Sequence, residues 1–179
     1  AGAATYLYAD TGEVSCIDFI PPAPAGLKSA EMDGEVTQTG PLAPCTPGNL
    51  AGWHELQSRF GKLSFADVLQ PAIKLASDGY PISKFFIAET TDHKGRIKDP
   101  EWHRVFQPNS GWKPGDVLKL TDLAGTLGMI AERGIEYLYG GELGEKLDRH
   151  MKGAGGVIAL SDLEAVAPLH ETPVKTAYR

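Results

Sequence analysis

The sequence predicts a mixed α+β fold, and three observations carry that prediction. Two short segments rich in Tyr, Val, Ile and Phe flank Asp10-Thr11-Gly12, a train of amphipathic segments follows over 46–166, and an extended stretch, ETPVKTAYR, comes last. Strands, then helices, then a returning strand is the order of an α+β architecture, in which helices gather on one side of a sheet.

Each element has its own signals. Residues 3–9 and 13–19 read as a hairpin closed by the Asp-Thr-Gly turn. Pro21-Pro22-Ala23-Pro24 cannot donate ladder hydrogen bonds and ends the second strand, so the hairpin unit spans 1–25. Residues 26–45 are polar and Gly-rich without an apolar period, and are expected to form a long loop. Thr46-Pro47 is expected to cap a helix running to Phe60, with Leu50, Trp53, Leu56 and Phe60 as its buried stripe. Ser64 to Asp67 resembles a capping box with Asp in place of Glu. The helix it opens carries Phe65, Val68, Leu69, Ala72, Ile73, Leu75 and Ala76 on one face and stops at Gly79. Pro71 inside it should kink or break it unless it lies in the opening turns.

A third helix is expected from about Ser83 towards Lys94, followed by irregular chain over 95–120, where Asp99-Pro100, Gln107-Pro108 and Pro114-Gly115-Asp116 mark turns. Thr121 is expected to cap the next helix, whose stripe is Leu123, Leu127, Ile130 and Ala131 and whose end is Gly134. A further amphipathic helix carries Leu143, Leu147 and Met151 and breaks at Gly155-Gly156. Ser161-Asp162-Leu163-Glu164 reads as a full capping box for a short helix, and residues 167–179 as the returning strand.

Composition excludes several classes of function. The 179 residues carry a net charge of -6, which opposes binding to a phosphate backbone or an anionic membrane. No apolar run approaches the roughly 18 residues that cross a bilayer, and the opening segment AGAATYLYADTGEV lacks the basic and apolar regions of a signal peptide. Ala1 and Arg179 both fall inside strand-like stretches, so the expectation is a piece of a longer chain, and its compartment, bacterial cytoplasm or periplasm, stays open. Cys16 reads as a buried free thiol and Cys45 as a loop residue, without the spacing of a zinc site.

The ionisable residues alone give no catalytic constellation. His54, His93, His103, His150 and His170 are scattered and none forms a one-turn pair facing a metal, so surface or capping roles are expected. Glu89, Asp92 and His93 read as a solvated helix face, and Glu142, Glu145, Lys146, Asp148 and Arg149 as helix-surface ion pairs. No Gly-x-Ser-x-Gly elbow occurs, and Gly153 to Gly156 follows a helix, the wrong end to cradle a phosphate.

Longer motifs say more. TGEVSCIDFIPPAPAG, TPGNLAGWHELQSRFGKLSFADVLQPAIKLASDGYPIS, KPGDVLKLTDLAGTLGMIAERGIEYLYGGELGEKL and GGVIALSDLEAVAPLHETPVKTAYR occur in that order. Together they resemble the large-subunit region of the gamma-glutamyltranspeptidase family over nearly the whole chain, the loop at 26–45 excepted. The resemblance implies part of the αββα sandwich of N-terminal nucleophile hydrolases. It implies a precursor that cleaves itself before a Thr, whose hydroxyl then attacks an amide carbonyl with its own α-amine as base. That Thr belongs to a small-subunit segment, the implied partner, so no catalytic residue is expected in this chain. A small-molecule amide is the implied substrate, with no metal or organic cofactor. The hairpin, without partner strands, has open edges that invite association, a homo-oligomer included.

One substrate position is legible. The family's Arg for the substrate α-carboxylate follows the second strand of the hairpin, and after Asp18-Phe19 that position is Ile20. An Ile cannot form the bidentate pair that Arg makes with a carboxylate. The implied activity is amide hydrolysis or acyl transfer on something other than a typical gamma-glutamyl compound. Gamma-glutamyl transfer or glutathione hydrolysis proper is the alternative, as is a non-catalytic scaffold or binding member. Against the Ile20 reading stands a plainer one, that Ile20 caps the strand beside its Pro run and the register slips by one.

Overall fold

The computed structural model describes residues 2–28, 38–108 and 110–178. Strands β1 (Ala3–Leu7) and β2 (Val14–Asp18) form the expected hairpin, with Ala3 opposite Asp18 and Leu7 opposite Val14. Strand β5 (Leu169–Glu171) returns to pair antiparallel with β2, giving the order β1-β2-β5. The returning strand is shorter than expected, since among residues 172–178 no ladder continues.

Opposed residues of a ladder point to the same face. Tyr6, Ser15, Ile17 and His170 share one, and helix α1 (Asn49–Phe60) covers it. There Tyr6 stacks on Phe60 with ring centroids 4.0 Å apart, Ile17 is fully buried, and His170 Nε2 lies 2.9 Å from Glu55 Oε1. Ala3, Thr5, Leu7, Val14, Cys16 and Leu169 share the opposite face, where Leu7 and Leu169 are exposed. Cys16, expected to be buried, is half-buried there, and Cys45 is exposed.

The start of α1 corrects the sequence reading. Thr46 is buried but makes no cap, and Gly48 holds the cap position without a side-chain bond. The Ala51 N–H, one of the donors a helix start leaves unpaired, instead donates to Tyr139 Oη at 3.2 Å, and the Tyr139 hydroxyl donates to the Pro47 carbonyl at 2.8 Å. Nor is the apolar stripe the buried face, because Ala51 and Gly52 are buried while Trp53 is exposed. The Phe19 ring explains this: a Cβ at Gly52 would fall inside it.

Helix α2 (Phe65–Asp78) opens as expected, with Ser64 Oγ accepting from Asp67 N at 3.0 Å and donating to Asp67 Oδ2 at 2.6 Å. It runs unbroken through Pro71. Leu69 and Ala76 are buried against α5 (Thr121–Arg133), whereas Val68, Ala72 and Leu75 are exposed. The start of α5 differs too: Leu120 occupies the cap position, Thr121 is the first helical residue, and Leu123 is exposed while Ala124 is buried. Two short strands, β3 (Tyr80–Pro81) and β4 (Val117–Leu118), pair antiparallel and bring α2 and α5 together. Gly79, at φ 90°, makes the turn into β3, and a Cβ there would meet Val117 Cγ1 at 2.5 Å.

Helix α3 (Lys84–His93) lies where a helix was expected, and Ser83 caps it, its Oγ accepting from Phe86 N at 3.1 Å. The stretch expected to be irregular contains α4 (Pro100–Phe106), with Asp99 accepting from Trp102 N at 2.7 Å and Pro100 in the first turn. After a 3₁₀ turn at Ile135–Tyr137, α6 (Glu142–Ala154) ends at Gly155 in the left-handed region. Its expected surface pairs are present, Lys146 with Glu142 at 2.7 Å and Arg149 with Glu145 at 3.6 Å. Helix α7 (Leu160–Glu164) begins one residue before Ser161, so Ser161 is not its cap. Asp162 fixes this helix, accepting from Ala159 N at 2.8 Å and from Ala25 N at 2.9 Å. Met151, Ile158 and Leu163 form the small core between α6 and α7. Among the described residues no helix is long and apolar enough to cross a membrane.

Candidate functional site

The end of β2 and the start of α1 adjoin, and Ile20 lies at that junction. Asp18 Oδ1 accepts from Ile20 N at 2.8 Å, which turns the chain out of the ladder directly after the strand. Phe19 stays buried, its N–H on the Gly2 carbonyl at 2.9 Å, while the Ile20 side chain is 60% exposed. Pro21 then runs beside α1, where a Cβ at Gly48 would meet the Phe19 carbonyl oxygen at 2.5 Å and Pro21 Cδ at 2.9 Å. Next to Gly48 stands Asn49, whose Oδ1 is buried and has no hydrogen-bond partner among the described residues. Such an acceptor costs about 1–3 kcal/mol of lost solvation.

Polar groups around this junction are engaged structurally. Burial raises the Tyr139 phenol above its ordinary pKa, partly opposed by the Ala51 N–H, so it stays a neutral hydroxyl tying α1 to the 3₁₀ turn. Glu55 is held below the ordinary carboxylate value, first by its hydrogen bond from Arg59 at 2.5 Å and further by His170. Ser58 and His54 are side by side at 3.4 Å, but the Ser58 hydroxyl donates to the His54 carbonyl at 2.7 Å, so no base takes its proton. The other His side chains fill the expected surface and capping roles: His93 Nδ1 lies 2.9 Å from the Glu89 carbonyl, His103 Nε2 lies 2.8 Å from the Ile97 carbonyl, and His150 is exposed. No cluster of three His, Cys, Asp or Glu able to hold a metal occurs among the described residues.

The sequence profile described as Gamma-glutamyltranspeptidase matches residues 1–179. The chain belongs to the gamma-glutamyltranspeptidase family. Family members include glutathione hydrolases and acylases, so the family is one of enzymes. The chain is 37% identical over 142 residues to the acylase ACY 1 proenzyme of a Pseudomonas species, strain SE83, covering 78% of this chain and 25% of that protein. It is 31% identical over 182 residues to the glutathione hydrolase proenzyme of Escherichia coli K12, covering 94% of this chain and 31% of that one. The crystal structure of Helicobacter pylori gamma-glutamyltranspeptidase superposes with a TM-score of 0.91 at 29% identity, over 99% of this chain and 54% of that chain. The expected N-terminal nucleophile hydrolase fold is therefore the observed one. The chain spans about a quarter to a third of the curated relatives it matches.

Sequence reasoning missed two features of these gamma-glutamyltranspeptidase-family residues. Asn49 went unnoticed because an amide beside a helix start reads as a solvated cap. Arg96 was absorbed into the irregular stretch, where Asp92 and Asp99 at helical spacing suggest an ion-pair partner, yet neither pairs with it among the described residues.

Proposed function

We propose that these residues are the large-subunit portion of a gamma-glutamyltransferase-like amidohydrolase or acyltransferase, acting through an acyl-enzyme on a Thr outside them. The Thr hydroxyl attacks the amide carbonyl and its own α-amine, with a pKa near 8, takes the proton. The amine product leaves with that proton, and water or an acceptor amine then takes the acyl group from the Thr oxygen. The uncovered face of the β1-β2-β5 sheet supports this reading, since Leu7, Val14 and Leu169 need a second layer that the small-subunit segment would supply.

The observation that carries the substrate assignment is Ile20. Ile20 is exposed and offers no charge, and in this reading it takes the place of the family's carboxylate-binding Arg. Losing such a charge-assisted contact weakens carboxylate binding by about 1.5–3 kcal/mol. We therefore assign an acyl group without the α-amino acid head of a gamma-glutamyl compound, in keeping with the relative named as an acylase. Gamma-glutamyl transfer or glutathione hydrolysis is the second reading, favoured by the relative named as a glutathione hydrolase, which matches over 94% of this chain.

Denaturing electrophoresis of the full-length gene product tests the enzyme reading. Two bands are expected, the smaller with Thr as its first residue. A single band of full length would instead make the protein a non-catalytic scaffold or binding member.

A further inference from the structure

Arg96 is set apart by its partner. Arg59, Arg104, Arg133 and Arg149 each lie against a Glu or Asp carboxylate. Arg96 instead donates from Nη2 to the neutral Gln38 Oε1 at 2.8 Å and joins no ion pair among the described residues. Among the described residues there, Arg96 and Lys98 carry positive charge and Asp99 negative charge. Arg96, Lys98, His93 and His150 line a cleft of about 890 Å³ floored by Ile97, Met151 and Pro41. Lys98 Nζ donates to the Gly95 carbonyl at 3.0 Å and, among the described residues, joins no ion pair. The Asp99 carboxylate also lines the cleft but is turned to cap α4 through Trp102 N.

A second depression meets the first at His93 and Ile97, which line both. It is an aromatic shelf of Phe85, Phe86, Trp102 and Phe106, with Phe85 73% exposed. Its rings are close, Trp102 and Phe106 having centroids 5.7 Å apart and Phe86 and Phe106 6.2 Å apart. Glu89 borders the shelf and repels a second negative charge there.

We propose that the cleft and shelf together bind a small aryl carboxylate, with the carboxylate on Arg96 and Lys98 and the uncharged ring against the shelf. Arg provides a planar fork that matches a carboxylate, and among the described residues the Arg96 fork is bonded to a neutral amide rather than to an acid. The volume lies within the usual range of about 300–1,000 Å³ for small-molecule sites. A bare inorganic anion would leave the shelf unused, and an aryl dianion would meet Glu89.

Calorimetric titration of the full-length protein with 2-naphthoate, and with the uncharged 2-naphthamide, tests this without any turnover readout. The expected result is one naphthoate bound per chain, with naphthamide about tenfold weaker or worse. Arg96→Gln and Lys98→Gln should each weaken naphthoate about tenfold and leave naphthamide unchanged. Trp102→Ala should weaken naphthoate and naphthamide by a similar factor, with the melting temperature of every variant confirming its fold. No binding to the full-length protein would overturn the proposal, as would equal affinity for acid and amide, or wild-type affinity in the two Gln variants.

Discussion

Ile20 and Gly52 illustrate how single positions shape the junction of β2 and α1. Gly52 has no side chain because the Phe19 ring occupies the space of its Cβ, which lets the helix lie directly on the hairpin. Gly52→Ala should therefore destabilise the full-length protein by about 1–3 kcal/mol through overpacking, seen as a lower melting temperature. An unchanged melting temperature would mean that Phe19 has another place to go. Ile20 is a position of gain rather than loss, since it is exposed and its backbone turn rests on Asp18, not on its own side chain. Ile20→Arg should leave stability within about 0.5 kcal/mol and lower KM for a gamma-glutamyl anilide about tenfold or more, the worth of one charged contact. If KM does not move, the register that equates Ile20 with the carboxylate-binding position is wrong.

At the scale of elements, the Glu55 carboxylate of α1, which also meets His170 of β5, should make stability depend on pH. Glu55 accepts from Arg59 and lies 2.9 Å from His170 Nε2, and its pKa is lowered from the ordinary 4.5, chiefly by the Arg59 hydrogen bond. A carboxylate with a depressed folded pKa contributes stability above its unfolded value, and that contribution disappears as pH falls through the folded value. Wild type should thus exceed Glu55→Gln in melting temperature at pH 7, by the equivalent of about 1 kcal/mol or less. The two should converge below pH 4.5. A gap independent of pH would point to shape rather than charge.

The same scale shows what the sequence made legible. The hairpin, the Ser64 cap and the Gly155 stop were readable because each depends on local backbone chemistry. The α1 cap was not, because its hydroxyl comes from Tyr139, 88 residues from Ala51. Trp53 and Leu123 were assigned inward on periodicity, yet Gly52 and Ala124 face the core, since small residues permit the closest approach of neighbouring elements. Asp99-Pro100 is a turn signal and a helix-start signal alike, and the seven-residue α4 is too short for periodicity to decide. Strands β3 and β4 have two residues each and pair across a long stretch of chain, so neither alternation nor a turn announces them. Of the candidate site, the sequence made Ile20 visible by position, while its exposed setting and the unpaired Asn49 at the start of α1 required the fold.

For the whole molecule, the three-stranded sheet has helices on one face and exposed Leu7 and Leu169 on the other, in a family whose curated members are several times longer than these residues. The proposal joins these facts: a second layer covers the open face and carries the Thr, and Ile20 removes the demand for an α-carboxylate. The most direct measurement is the kcat/KM of the full-length protein for a gamma-glutamyl anilide, set beside those for the glutaryl anilide and for an oxamate amide. Turnover of the glutaryl or oxamate amide at least tenfold above that of the gamma-glutamyl anilide is the predicted result. A kcat/KM highest for the gamma-glutamyl anilide would contradict it.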